Sequence, residues 1–237
     1  MEIRAVLFDL DDTLFDHQAS SRAAVHTFLG QLGLNRSEEL TRAWFDIENR
    51  VFDRFLAKQL SLQEHRRERL RQFLPLTTMS IPKKARQLDE LFVLFLENYE
   101  DAWTAFPDAA LALRTLNAAG VPVAVVTNGV LDQQSAKVRK IGLGPFVNQV
   151  FSSDATGYAK PAPEAFLKPC MSMQVSPAQG LYVGDNYRVD VEGAQNAGLH
   201  AIFLDREGPR HPGSIQSLSD LPPLLSGRTA ARTVRSS

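Results

Sequence analysis

Short apolar runs and long helical stripes share this chain unevenly. Residues 3–8, broken only by Arg4 and ended by Asp9, have the length and β-branched content of a short buried strand. Four comparable runs come much later, at 121–127, 149–153, 181–183 and 201–204, with helix-like stretches between them. That alternation predicts right-handed βαβ units and an α/β core of the doubly wound, Rossmann-like kind, built on a parallel sheet.

The segment between the first two strands reads differently. From about Phe15 to Tyr99 the only glycines are Gly30 and Gly33, and the apolar spacing is helical. Leu40, Trp44, Ile47, Val51, Phe55 and Leu56 form one stripe, with Ser37 as a plausible N-cap. A second helix is expected to start at Ser61, where Ser61 and Glu64 have capping-box spacing, and to end near Pro75. A third is expected from about Ala85 to Tyr99, carrying Leu88, Leu91, Phe92, Phe95 and Leu96. The segment is therefore expected to be an all-helical cap, residues 15–99, inserted into a core made of 1–14 and 100–225. The last stretch, 226–237, has no apolar pattern and is expected to be a flexible tail. Within the cap, Arg66, Arg67, Arg69 and Arg71 could bind an anion or form a solvated helix face. His17 reads as a surface-loop histidine.

Bulk composition narrows the options for function. At 237 residues, 44% hydrophobic and 22% charged, the chain can bury a sizeable core. A net charge of −1, from 26 basic and 27 acidic residues, gives no field to gather nucleic acid or an anionic membrane. Cys170 is the sole cysteine, so no intrachain disulfide can form, and a reducing, cytoplasmic setting is expected. No run approaches the roughly 20 apolar residues that span a bilayer, and the first residues lack an export pattern.

Chemistry gathers at the ends of the runs. VLFDLDDTLFD places Asp9, Asp11, Asp12 and Thr13 just past the first strand, where parallel sheets open their ligand crevice. Carboxylates crowded there repel one another unless a cation is present, which implies a hard divalent metal with oxygen ligands, magnesium being the usual one beside phosphate. VVTNG ends the second strand with Thr127, Asn128 and Gly129, able to offer a side-chain donor and backbone N–H groups to an anion. In YAKPAPEAF, Lys160 precedes a helix opening near Pro163. LYVGDNYRVD sets Asp185 and Asn186 at another strand end, with Gly184 allowing close backbone approach and Asp190 placed as a helix N-cap and metal partner. Each motif alone has an ordinary reading as a turn, a cap or a solvated charge. Acid, hydroxyl, base and acid at four successive strand ends form a joint pattern.

That pattern resembles the haloacid dehalogenase-like hydrolases, whose four motifs match Asp9-x-Asp11-x-Thr13, Thr127-Asn128, Lys160 and Gly184-Asp185 through Asp190 in order, over roughly residues 1–14 and 100–205. The position of the insertion resembles the branch with an α-helical cap between the first two motifs. The resemblance implies a magnesium-dependent phosphatase of a small phosphorylated metabolite, with a cap that closes over the site. Asp9 would be the nucleophile that becomes an aspartyl-phosphate, and Asp11 the acid and then the base. Lys160, Thr127 and the Asn128 backbone N–H would hold the phosphoryl oxygens. Asp9, the Asp11 carbonyl, Asp185 and Asp190 would hold Mg2+, with Thr13 and Asn186 in support. Dehalogenases and phosphonate-cleaving relatives have no use for the second aspartate of the motif. A phosphomutase of the same fold would use the same residues, and a non-enzymatic phosphoacceptor module is the reading from another class.

Overall fold

The computed structural model describes residues 2–208 and 210–221. The stretch expected to be a tail, 226–237, lies outside the described residues. Two compact units are present: Met1–Asp16 with Thr104–Ser237, and His17–Trp103.

The first unit is built on five parallel strands, β1 (Ala5–Phe8), β2 (Val123–Thr127), β3 (Gln149–Ser152), β4 (Gly180–Gly184) and β5 (His200–Phe203), in the order β3-β2-β1-β4-β5. β1 lies at the centre, with Val6 opposite Val123 on one side and Leu181 on the other. Every residue of β1, β2 and β4 is buried, so these three strands read as continuous apolar runs, whereas the edge strand β3 is partly exposed. On one face Ala5, Leu7, Ala124, Val126 and Tyr182 pack with Ala165, Phe166, Leu199 and Cys170. Among the described residues this unit carries the helices α5 (Ala109–Ala118), α6 (Leu131–Lys140), the short α7 (Ser153–Thr156), α8 (Pro163–Ser172) and the short α9 (Gly193–Asn196), which follows a π-helical stretch Tyr187–Glu192. This arrangement is the expected α/β core. It puts Asp9, Thr127 and Asp185 at the carboxyl ends of three adjacent strands, and Lys160 in the loop before α8.

The second unit is all helical: α1 (His17–Gln31), α2 (Glu38–Leu56), α3 (Leu62–Phe73) and α4 (Ala85–Asp101). Ser37 and Ser61 cap α2 and α3, accepting from the N–H of Leu40 and Glu64. Trp44 is the centre of its core, with ring centroids 4.4 Å from Phe95 and 4.9 Å from Phe73. Two expectations change here. His17 opens α1 instead of lying on a loop: its Nδ1 is 2.7 Å from Tyr99 Oη and its Nε2 3.3 Å from Glu48. In the arginine cluster, three of the four side chains are committed to acidic partners. Arg67 pairs with Glu64 and Asp89, and Arg71 with Glu64 and Glu68, all within this unit. Arg69 is buried against the Trp44 ring at 4.5 Å and reaches Glu48 at 2.8 Å. Among the described residues no helix is long and apolar enough to cross a membrane.

Candidate active site

Asp9 continues the β1 ladder, donating its N–H to Val183 O at 2.9 Å, and only 7% of it is exposed. The chain then curls because the Leu10 carbonyl accepts from the N–H groups of both Leu14 and Phe15, at 3.0 and 2.9 Å. Asp12 sits in the left-handed region at φ 60°, a conformation that Asp tolerates better than most residues. Thr13 is fully buried. Its hydroxyl donates to Asp185 at 3.3 Å, which ties the turn after β1 to the end of β4. Its carbonyl accepts from Arg206, which lies on the Phe106 ring and grips Asp108 with both terminal nitrogens.

Lys160 is delivered by a side-chain clamp. Asn128 accepts the Lys160 N–H at 2.8 Å and donates to the Lys160 carbonyl at 2.9 Å. The Asn128 side chain therefore serves the lysine's backbone, while the group expected to meet an anion is its own backbone N–H, beside the Thr127 hydroxyl. The Lys160 ammonium places its three protons on Asp9 at 2.5 Å, Asp190 at 2.7 Å and Tyr182 Oη at 2.8 Å. Tyr182 in turn donates to the Val126 carbonyl at 3.0 Å. Gly184 is needed beside them, since a Cβ there would lie 2.4 Å from Asp190 Oδ2. The N-cap of the turn that follows is Asn186, whose side chain accepts from Val189 N. Asp190, expected as that cap, lies one turn inward, where its carboxylate accepts the Asn186 N–H at 3.1 Å. The other oxygen of Asp190 is committed to the lysine.

Asp9, Asp185 and Asp190 thus each offer an oxygen within 4.8 Å of the others, and the one ammonium pairs with Asp9 and Asp190. Burial alone would lower the Lys160 pKa, but Asp190 and Asp9 outweigh it and hold the group protonated, well above the usual lysine range. The negative excess appears on the acids. Burial first, then Asp190, Asp185 and Asp11, raise Asp9 against the pull of Lys160. Burial, Asp190 and Asp12 push Asp185 up to about 7. An all-oxygen set carrying excess negative charge suits a hard divalent cation such as magnesium, so these residues fit the metal implied by the sequence.

A pH prediction follows for the metal-free protein. Asp185 has an unfolded pKa near ~3.9 and a higher folded one, so ionising it weakens the fold progressively as pH rises from about 4 to about 7. Asp185→Asn removes that penalty. In chelator, the variant should be more stable than the parent at pH 8 by an amount on the order of a few kcal/mol, and the advantage should vanish below about pH 4. Urea unfolding across that range checks it, and parallel curves for the two proteins would refute it.

The sequence reading did not single out the residues that hold Asp11. Gln134 and Lys137, both buried on α6, converge on it: Gln134 Nε2 donates to Asp11 Oδ2 at 2.8 Å, and Lys137 Nζ reaches Asp11 Oδ1 at 2.5 Å. The available signal was a polar pair at the inward-facing positions of α6, beside Val138.

The family model of the haloacid dehalogenase-like hydrolases matches residues 3–198. Phosphoglycolate phosphatase of Escherichia coli O157:H7 is 31% identical over 209 residues, covering 86% of this chain and 81% of that protein. A HAD-hydrolase from Bacillus subtilis, solved bound to magnesium, superposes with a TM-score of 0.81 at 25% identity, over 95% of this chain and all of that one. The L-2-haloacid dehalogenase of Xanthobacter autotrophicus, solved with chloropropionic acid covalently bound, gives 0.74 at 25% identity, over 95% and 99% of the two chains.

Proposed function

The chain belongs to the haloacid dehalogenase-like hydrolases, and from that premise we propose that it is a phosphatase of small phosphorylated metabolites. The observation that carries the reading is the second carboxylate. Relatives in this family attack either carbon or phosphorus, and only the phosphorus chemistry needs an acid beside the nucleophile to protonate an alkoxide. Asp11 supplies one, and two side chains of α6 hold it in place.

An Asp9 carboxylate oxygen attacks phosphorus as the ester oxygen leaves with a proton from Asp11, giving an aspartyl-phosphate. Asp11, now ionised, takes a proton from water as the water oxygen attacks the same phosphorus, which frees phosphate and regenerates Asp9. Lys160, already on Asp9, neutralises charge on the nucleophile and on a phosphoryl oxygen, while the Thr127 hydroxyl and the Asn128 N–H take the remaining oxygens. Mg2+, held by Asp9, Asp185, Asp190 and the Asp11 carbonyl, would supply Lewis-acid polarisation of the phosphate. Thr13 and Asn186 support the set, the first through Asp185 and the second through Asp190.

Turnover of p-nitrophenyl phosphate tests the reading. Activity is expected with magnesium, lost in chelator and regained on adding the metal back. A protein inert toward this ester and toward a panel of phosphorylated metabolites, with magnesium present, would sink it.

A further inference from the structure

The turn after β2 and the helix after it do more than present Thr127. Gln134 and Lys137 are three residues apart on α6, which sets both side chains on one face of the helix. Both are buried, at 3% and 4% exposure, although neither belongs to the four motifs. The single amide nitrogen of Gln134 donates one proton to Asp11 Oδ2 at 2.8 Å and the other to Thr127 Oγ1 at 2.7 Å. Reversing the amide would set its oxygen against a carboxylate, so chemistry fixes its orientation. Because the Thr127 oxygen accepts here, its own proton remains to be donated elsewhere. Lys137 lies 4.7 Å from the centre of the Phe15 ring and meets the other Asp11 oxygen. Each oxygen of Asp11 therefore has a donor from the same rigid helix, and the carboxylate cannot turn without breaking one of them.

A burial of this kind is poor value for stability, since an apolar side chain of similar size would fill the space without desolvating a charge. What it does provide is orientation. We propose that Gln134 and Lys137 are positioning residues of the reaction: they hold the Asp11 carboxylate and the Thr127 hydroxyl in one fixed relation to Asp9, so that proton transfer and phosphoryl binding are set by a single element, α6. The inference rests on the phosphatase reading above. Gly129 completes the device. A Cβ on it would come 2.7 Å from Gln134 Nε2, so the glycine makes the room in which the amide lies.

The test is a pair of kinetic cycles on p-nitrophenyl phosphate with magnesium, each variant first checked for a cooperative melt. Lys137→Met should lower kcat on the order of 10–100-fold with KM little changed. In an Asp11→Asn background the same substitution should change kcat by less than about two-fold, because the group it positions is gone. Gly129→Ala, which displaces the amide without altering it, should lower kcat as Gln134→Ala does, and combining the two should add little. Equal losses from Lys137→Met in both backgrounds would overturn this inference alone. Should Lys137→Met fail to fold, Gly129→Ala decides, and a kcat near the parent's would overturn it. An inert parent protein would instead overturn the phosphatase reading, and this inference with it.

Discussion

Asp9→Asn is expected to lower turnover by on the order of 10⁵-fold while leaving the fold intact. The substitution keeps shape and removes nucleophilicity, since a neutral amide cannot attack phosphorus. Lys160 retains Asp190 and Tyr182 as partners, and an Asn oxygen can still accept from it. Stability should even rise slightly at neutral pH in chelator. Asp9 is raised above the ordinary carboxylate range, so its ionisation weakens the metal-free fold above its unfolded pKa, and the amide escapes that penalty. The check is steady-state release of p-nitrophenolate, with thermal melts of both proteins in chelator. Turnover within ten-fold or so of the parent's would remove Asp9 from the role of nucleophile, since losing the attacking group of a covalent mechanism costs far more than that.

The parts that could be read from the sequence are those encoded over short distances. A run such as Ala5 to Phe8 announces a strand through its own side chains, and the acids after it stand where strand ends put ligands, so β1, β2 and β4 and the residues at their ends were visible at once. Ser37 and Ser61 were visible for the same reason, because a cap acts within three residues. Helix α1 was not, because its buried face is made partly of Ser20, Ser21 and Ala24, which carry almost no amphipathic signal. His17, which opens that helix, consequently read as part of a loop. The support of the site was equally hidden. Lys137 meets Asp11 across 126 positions, Asn128 clamps Lys160 across 32, and Arg206 reaches Thr13 across 193. The partners of these residues lie far away in the chain, so a local pattern can mark a polar position on α6 or a turn asparagine without showing what it holds. Tyr182 packs its ring with Phe166 as any core aromatic would, and only its hydroxyl, accepting from Lys160, marks it as more.

Lys160→Met should damage fold and turnover together, because it removes a charge on which both the fold and the chemistry depend. The ammonium lies against Asp9 and Asp190, whose side chains are 10% and 2% exposed, and taking it away leaves two carboxylates buried without their counter-charge. Breaking one partner from a buried ion pair costs roughly 3–5 kcal/mol, and a methionine of similar length restores only the packing. The sign with pH is fixed. Without the lysine Asp9 is raised further, so the variant can recover by protonating it: its deficit against the parent should be greatest near pH 8 and shrink as pH falls toward 5. Magnesium should recover part of the loss at pH 8, as any cation binding only the folded form does. Turnover should not recover with stability, since the proposed contact to the phosphoryl oxygen is gone, and a fall of about 10³-fold is expected from losing one charged donor. Urea unfolding at pH 5 and 8, with chelator or with magnesium, separates these effects. If Lys160→Met proved as stable as the parent at pH 8 in chelator, the cluster would not need its lysine, and the electrostatic account of the site would fail with it.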